Sequence, residues 1–115
     1  MAVLTVQPLV LQTLLTPAYV AAAGGGDSFA PEGARCIIHV KNAHSASWTL
    51  TINDPTSLAP TGAKSFDPDV DFVIPNAQER MLELDPTRFT NPATGRIEFT
   101  YSGVTALTIG VFKPV

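Results

Sequence analysis

The chain has 115 residues and a mass of 12.2 kDa, with 45% apolar and only 15% charged residues. That size suits one domain with a real core, and the composition argues against disorder. Seven Lys plus Arg against ten Asp plus Glu give a net charge of −3, without the basic excess that phosphate neutralisation demands, so a nucleic-acid binder is disfavoured.

No charged residue occurs from Ala2 to Gly26. The stretch Leu9 to Leu15 followed by Ala21-Ala22-Ala23 loosely resembles a secretory leader. However, the first basic residue is Arg35, and Pro8, Gln12 and Pro17 interrupt the apolar run, so the segment is expected to stay with the chain. No run of roughly eighteen apolar residues, the length of a membrane span, is present. Rich in Val, Leu, Thr and Ala, the segment makes a poor free tail and a good added strand. Two placements stay open: an edge strand completing this chain's own sheets, or a strand lying over another subunit. The expected organisation is an N-terminal arm or edge strand at 1–23 and a single β-sandwich domain at 24–115, with Gly24-Gly25-Gly26 at the boundary.

Further along, period-2 alternation between short turns gives an all-β pattern. Arg35 to Lys41 reads as a strand with Cys36, Ile38 and Val40 on one face, and Ser47 to Ile52 as another with Trp48, Leu50 and Ile52 inward. Asn42 to Ala46 between them looks like a hairpin link. Prolines 55, 60 and 68 make Asp54 to Asp69 a loop, because proline cannot donate to a ladder. Val70, Phe72 and Ile74 share a strand face, Pro75-Asn76-Ala77 turns the chain, and Arg80 to Leu84 follows with Leu82 and Leu84 inward. Asp85 to Phe89 suits one helical turn, with Asp as N-cap and Pro86 in the first position. After the loop from Asp85 to Gly95, Ile97, Phe99 and Tyr101 alternate with Glu98, Thr100 and Ser102. Ser102-Gly103 then turns the chain into Thr105 to Phe112, which reads as a hairpin. The economical architecture is all-β, a small β-sandwich of jelly-roll or immunoglobulin-like type with an extended N-terminal arm.

Catalytic patterns are incomplete. Cys36 cannot form an internal disulfide, being the single cysteine. Three positions apart on a strand, it and His39 point to opposite faces, so Cys36 reads as a buried, inert thiol. His39 and His44 read as surface histidines without a four-ligand set. Asp67, Asp69 and Asp71 begin like a calcium loop, but Phe72 and Gln78 stand where such a loop needs Gly and Glu. Asp27 and Ser28 beside the glycines complete neither a phosphate cradle nor a nucleophile elbow. A glycosidase pair among Glu79, Glu83 and Glu98 has no pattern behind it. No cofactor or metal site is expected, and the chain is expected not to be an enzyme.

Several segments together resemble a known family. They are Thr5-Val6-Gln7, the corner Gly26-Asp27-Ser28-Phe29, Gly33-Ala34-Arg35 leading into Ile37-Ile38-His39-Val40-Lys41-Asn42, and Val73-Ile74-Pro75-Asn76-Ala77-Gln78-Glu79-Arg80. Leu84-Asp85-Pro86-Thr87-Arg88-Phe89 and Gly95-Arg96-Ile97-Glu98-Phe99-Thr100-Tyr101-Ser102 followed by Val104-Thr105 complete the set. In order and spacing, over most of the chain, they resemble the head decoration, cement or minor capsid proteins of tailed bacteriophages. Pro75-Asn76-Ala77 departs from that family's Pro-Ala-Gly turn.

The resemblance implies a non-enzymatic virion structural protein that binds and stabilises the capsid shell. Its partners would be the major capsid protein and other copies of itself, with a trimer favoured, and neither nucleic acid nor membrane. It would be made in the host cytoplasm and sit on the outer surface of the capsid, where negative charge faces no packaged DNA. Contact surfaces are expected on residues 3–23 and the loops 54–69 and 85–95. The candidate contact residues are Val3, Leu4, Val6, Leu9, Leu11, Leu14 and Tyr19 of the arm, with Phe66, Arg88 and Phe89 as anchors. Phe66 and Phe89 serve equally well as core residues capping the sandwich. The alternatives are a neck or tail component of the virion, or a host-surface carbohydrate-binding module using Trp48 or Tyr101 as a stacking platform.

Overall fold

The computed structural model describes residues 2–10, 12–55 and 69–114. In chain order the elements are β1 (Ala2–Val3), β2 (Val6–Leu9), β3 (Val20–Ala21), β4 (Asp27–Phe29), β5 (Cys36–Asn42) and β6 (Trp48–Ile52). They continue with β7 (Val70–Ile74), β8 (Glu79–Leu84), α1 (Pro86–Phe89), β9 (Thr90–Asn91), β10 (Arg96–Tyr101) and β11 (Leu107–Pro114). Two mixed sheets pack face to face as a small β-sandwich. The first runs β1-β4-β10-β6-β7 with β9 beside β10, and the second runs β2-β11-β5-β8 with β3 beside β11.

Alternation decides which side chains meet between the layers. In β5 the even positions Cys36, Ile38 and Val40 are buried, and in β11 Leu107, Ile109 and Val111 are buried. From the other layer Phe29, Leu50, Ile52, Ile74, Ile97 and Phe99 close onto them. The Phe29 and Phe99 rings lie 6.0 Å apart. Each large side chain withdrawn from water in this way stabilises the fold by roughly 1.5–3 kcal/mol. The expected helical turn is present. The Asp85 side chain accepts from the Thr87 amide at 2.9 Å, Pro86 opens the turn, and Phe89 points into the core.

Three links expected to join neighbouring strands instead cross between the sheets. β5 and β6, β7 and β8, and β10 and β11 each lie in opposite layers, so the last pair is not a hairpin. The reason is that alternation specifies which face is buried. It does not specify whether the next strand lies alongside or across the core. What holds the crossings is their contact with one another. The Asn42 amide donates to the Gln78 carbonyl, Ala43 to Ala106 and Ala77 to His44. The buried Asn42 side chain donates to the Ala46 and Ile74 carbonyls and accepts from the His44 amide. Trp48 donates to the Thr105 carbonyl at 3.0 Å and lies against Gly103, where an added Cβ would come within 2.3 Å of the indole. Only glycine fits beneath that ring. Ala77 and Ala106 hold positive φ of 56° and 54° in these crossings, a region that costs an L residue roughly 1–2 kcal/mol.

Candidate interaction surface

The uncharged arm is stitched into both layers of its own chain. β1 runs parallel to β4 and β2 parallel to β11, while β3 returns antiparallel to β11. The switch between layers falls at Leu4 and Thr5, after the Leu4 amide donates to the Ser28 carbonyl at 2.7 Å. Between β2 and β3 the chain loops out and is pinned back by Gln7, whose side chain donates to the Ala18 carbonyl and accepts from the Ala18 amide, both at 2.8 Å. One side chain thus copies the pairing of a missing strand residue.

Tyr19 is then laid across the outer face of the second sheet. Its ring meets Phe112 and His39 edge-on, and the Lys41 ammonium sits 3.9 Å above it. Gly110 below leaves the space, since a Cβ there would approach the ring to 3.1 Å. The Tyr19 hydroxyl is 2.6 Å from His39 Nδ1, and His39 Nε2 is 3.5 Å from a Glu79 carboxylate oxygen. Burial, and then the charge of Glu79, raise the phenol's pKa. The hydroxyl therefore stays un-ionised and hydrogen-bonded to Nδ1. A phenol held neutral is a poor nucleophile, and the array works as a latch for the arm. His39 is accordingly not the open surface histidine expected from the sequence: its side chain is 13% exposed because Tyr19 covers it.

With its backbone paired inward, the arm presents apolar side chains outward. Of the seven exposed large hydrophobic residues among those described, five belong to it: Val3, Leu9, Val10, Leu14 and Val20. Leu14 is fully exposed. Of the other expected contact residues, Leu4 and Val6 are half-buried against the core, and Tyr19 is half-buried over the second sheet. Phe89 lies in the core at 7% exposure. Arg88 pairs at 3.0 Å with the buried Asp54 and stacks over the Phe89 ring. Leu11 and Phe66, with most of the loop 54–69, lie outside the described residues.

The remaining sequence candidates are engaged elsewhere. Cys36 is fully buried, and burial pushes its thiol upward, away from the reactive thiolate. Asp69 accepts from the Asp54 amide and Asp71 from the Thr51 hydroxyl, while Asp67 lies outside the described residues. Trp48 stacks on His44 at 5.0 Å and packs over Gly103, and Tyr101 turns inward to Asp27. Neither aromatic offers a free stacking platform. The partners of Gln7 and Asp27 were not legible, since no local motif links position 7 to position 18 or position 27 to position 101. Comparison of the chain with protein-family models, with curated proteins and with solved structures finds no match.

Proposed function

We propose that this chain is a non-enzymatic structural protein of a tailed-bacteriophage virion that binds the outer surface of the capsid shell and stiffens it, as the resemblance in its sequence implies. The observation that carries the reading is the arm, whose strands pair within the sandwich while its uncharged exterior exposes Val3, Leu9, Val10 and Leu14. Contiguous exposed apolar surface marks protein contact sites, and five of the seven exposed large hydrophobic residues among those described fall in this arm. A cement binds the assembled shell in preference to its separated parts, and so stabilises it by mass action. Multivalent attachment as an oligomer, a trimer being favoured, strengthens contacts that are individually weak.

The test is purification of particles with and without this chain. The reading expects it in hundreds of copies per particle, and expects shells lacking it to break at lower temperature. About a dozen copies, the number a ring at the neck or tail supplies, or shells of unchanged durability, would overturn the cement role.

A further inference from the structure

β8 is the last strand of its sheet. All six of its residues pair with β5, from Glu79 opposite Lys41 to Leu84 opposite Cys36, and among the described residues no strand pairs with its other side. Such a row of unpaired N–H and C=O groups is a template for another extended chain. Beside it the two layers part in a cavity of about 150 Å³, lined from one sheet by Ile38, Val40 and Leu82 and from the other by Leu50, Phe72 and Ile74. Arg80 is the one charged residue lining it among those described, and its guanidinium is turned to the Gln78 side chain and the Glu79 carbonyl. The inner side of this edge is therefore apolar. On the outer side, alternation sets Glu79, Met81 and Glu83 in a row. Met81 is 63% exposed, and the two carboxylate side chains are 60% and 55% exposed, so water solvates their charge. Their present contacts are loose, His39 at 3.5 Å from Glu79 and the exposed Arg35 at 3.4 Å from Glu83, and exposed pairs of this kind contribute little.

These charges choose among occupants, because like charges directly opposite each other across a strand pair destabilise it and opposite charges stabilise it. A second copy of β8 running antiparallel meets like charges in each register centred on residues 79–83. Centred on Glu79, Arg80 or Glu83, that residue faces itself; centred on Met81, Glu79 faces Glu83; centred on Leu82, Glu79 faces Asp85. An acidic strand is refused for the same reason. β7, the other described edge on this flank, carries only Asp71, which already accepts from the Thr51 hydroxyl at 2.7 Å. We propose that the free edge of β8 docks an extended segment of another protein. That segment carries basic residues four positions apart on its outer face, opposite Glu79 and Glu83, and apolar residues on its inner face, towards the cavity. Strand addition takes its affinity from main-chain hydrogen bonds and its specificity from alternate side chains. The flank lies opposite the arm, and the inference does not depend on the capsid role.

The experiment is a titration of the ¹⁵N-labelled full chain, followed by amide shifts, with the peptide acetyl-Ser-Lys-Val-Thr-Val-Lys-Ser-amide and with its analogue carrying Glu for both Lys. The proposal expects saturable shifts at residues 79–84, with the basic peptide at least about tenfold tighter than the acidic one. In the double variant Glu79→Gln/Glu83→Gln, whose changes are confined to the surface, that preference should fall to within about twofold. Two further peptides, N-methylated at odd or at even positions, test the main chain. Alternate residues present their amides to the edge, so one of the two should lose binding and the other keep it. Equal affinity for the basic and acidic peptides, binding of both N-methylated forms, shifts confined to other strands, or no saturable shift overturns the proposal. Shifts at residues 79–84 that grow with protein concentration alone assign the edge to a second copy, and overturn it too.

Discussion

The two flanks of the sandwich solve the same problem differently. On one flank each sheet ends in strands borrowed from the arm, β1 on the first and β2 with β3 on the second. On the other, the described edges are β7 and β8, each paired on one side only. A bare edge invites pairing with other chains. β8 guards against this with Glu79, Arg80 and Glu83, the last within 3.4 Å of Arg35. β7 carries a single charge, Asp71. Val73 and Met81 stand exposed at 61% and 63% on this flank. Both flanks thus end in strands paired on one side, but the arm flank shows uncharged, apolar side chains there, whereas the β7 and β8 flank carries charge.

Breaking the arm flank should have the largest effect. Removing residues 1–23 deletes three strands and the packing of Leu4, Val6 and Ala22 on the core. The loss should rival the whole stability of a small domain, about 5–15 kcal/mol, leaving no cooperative thermal transition in circular dichroism. Tyr101→Phe should cost about 1.5–3 kcal/mol in denaturant unfolding, since it removes a hydrogen bond to a buried carboxylate. Its pH dependence has a definite sign. The phenol titrates near 10 when unfolded and well above that when folded, so its contribution is intact below pH 10 and lost as pH rises beyond it. The parent should therefore lose stability above pH 10 more steeply than Tyr101→Phe. Gln7→Ala should cost about 0.5–1.5 kcal/mol and raise hydrogen exchange at Ala18, because the clamp is exposed.

On the opposite flank the expected changes are smaller. Ala77→Gly relieves a positive φ in the crossing between β7 and β8 and should raise stability by about 0.5–1 kcal/mol in denaturant unfolding, the strain relieved less the added chain entropy. Met81→Lys should leave stability within about 0.5 kcal/mol while lowering any self-association in sedimentation.

How much of this was legible follows from what each signal encodes. Cys36, Ile38 and Val40 announced a strand and its buried face, and Asp85-Pro86 announced a helical turn, because both depend on neighbours within a few residues. The layer to which each strand belongs was not legible. Ser102-Gly103 reads as a hairpin turn, yet its geometry is set by Trp48, more than fifty residues earlier. The arm's suitability for strand addition was visible in its missing charges. Its attachment through Gln7 to Ala18 and Tyr19 to His39 was not, because single polar residues carry no signature of a distant partner. Asp27 beside three glycines completed neither a phosphate cradle nor a nucleophile elbow. Only the fold brings Tyr101 to one of its oxygens and leaves the other facing no donor.

The most direct test of the central claim, that this chain grips a capsid shell through its arm, is hydrogen exchange of the intact protein free and bound to shells, alongside Leu14→Asp. Leu14 is fully exposed, so the variant should fold as the parent does. The account predicts new protection across residues 3–20, none at β7 and β8, and loss of binding in Leu14→Asp. Protection confined to residues 70–84, with Leu14→Asp binding like the parent, would contradict it.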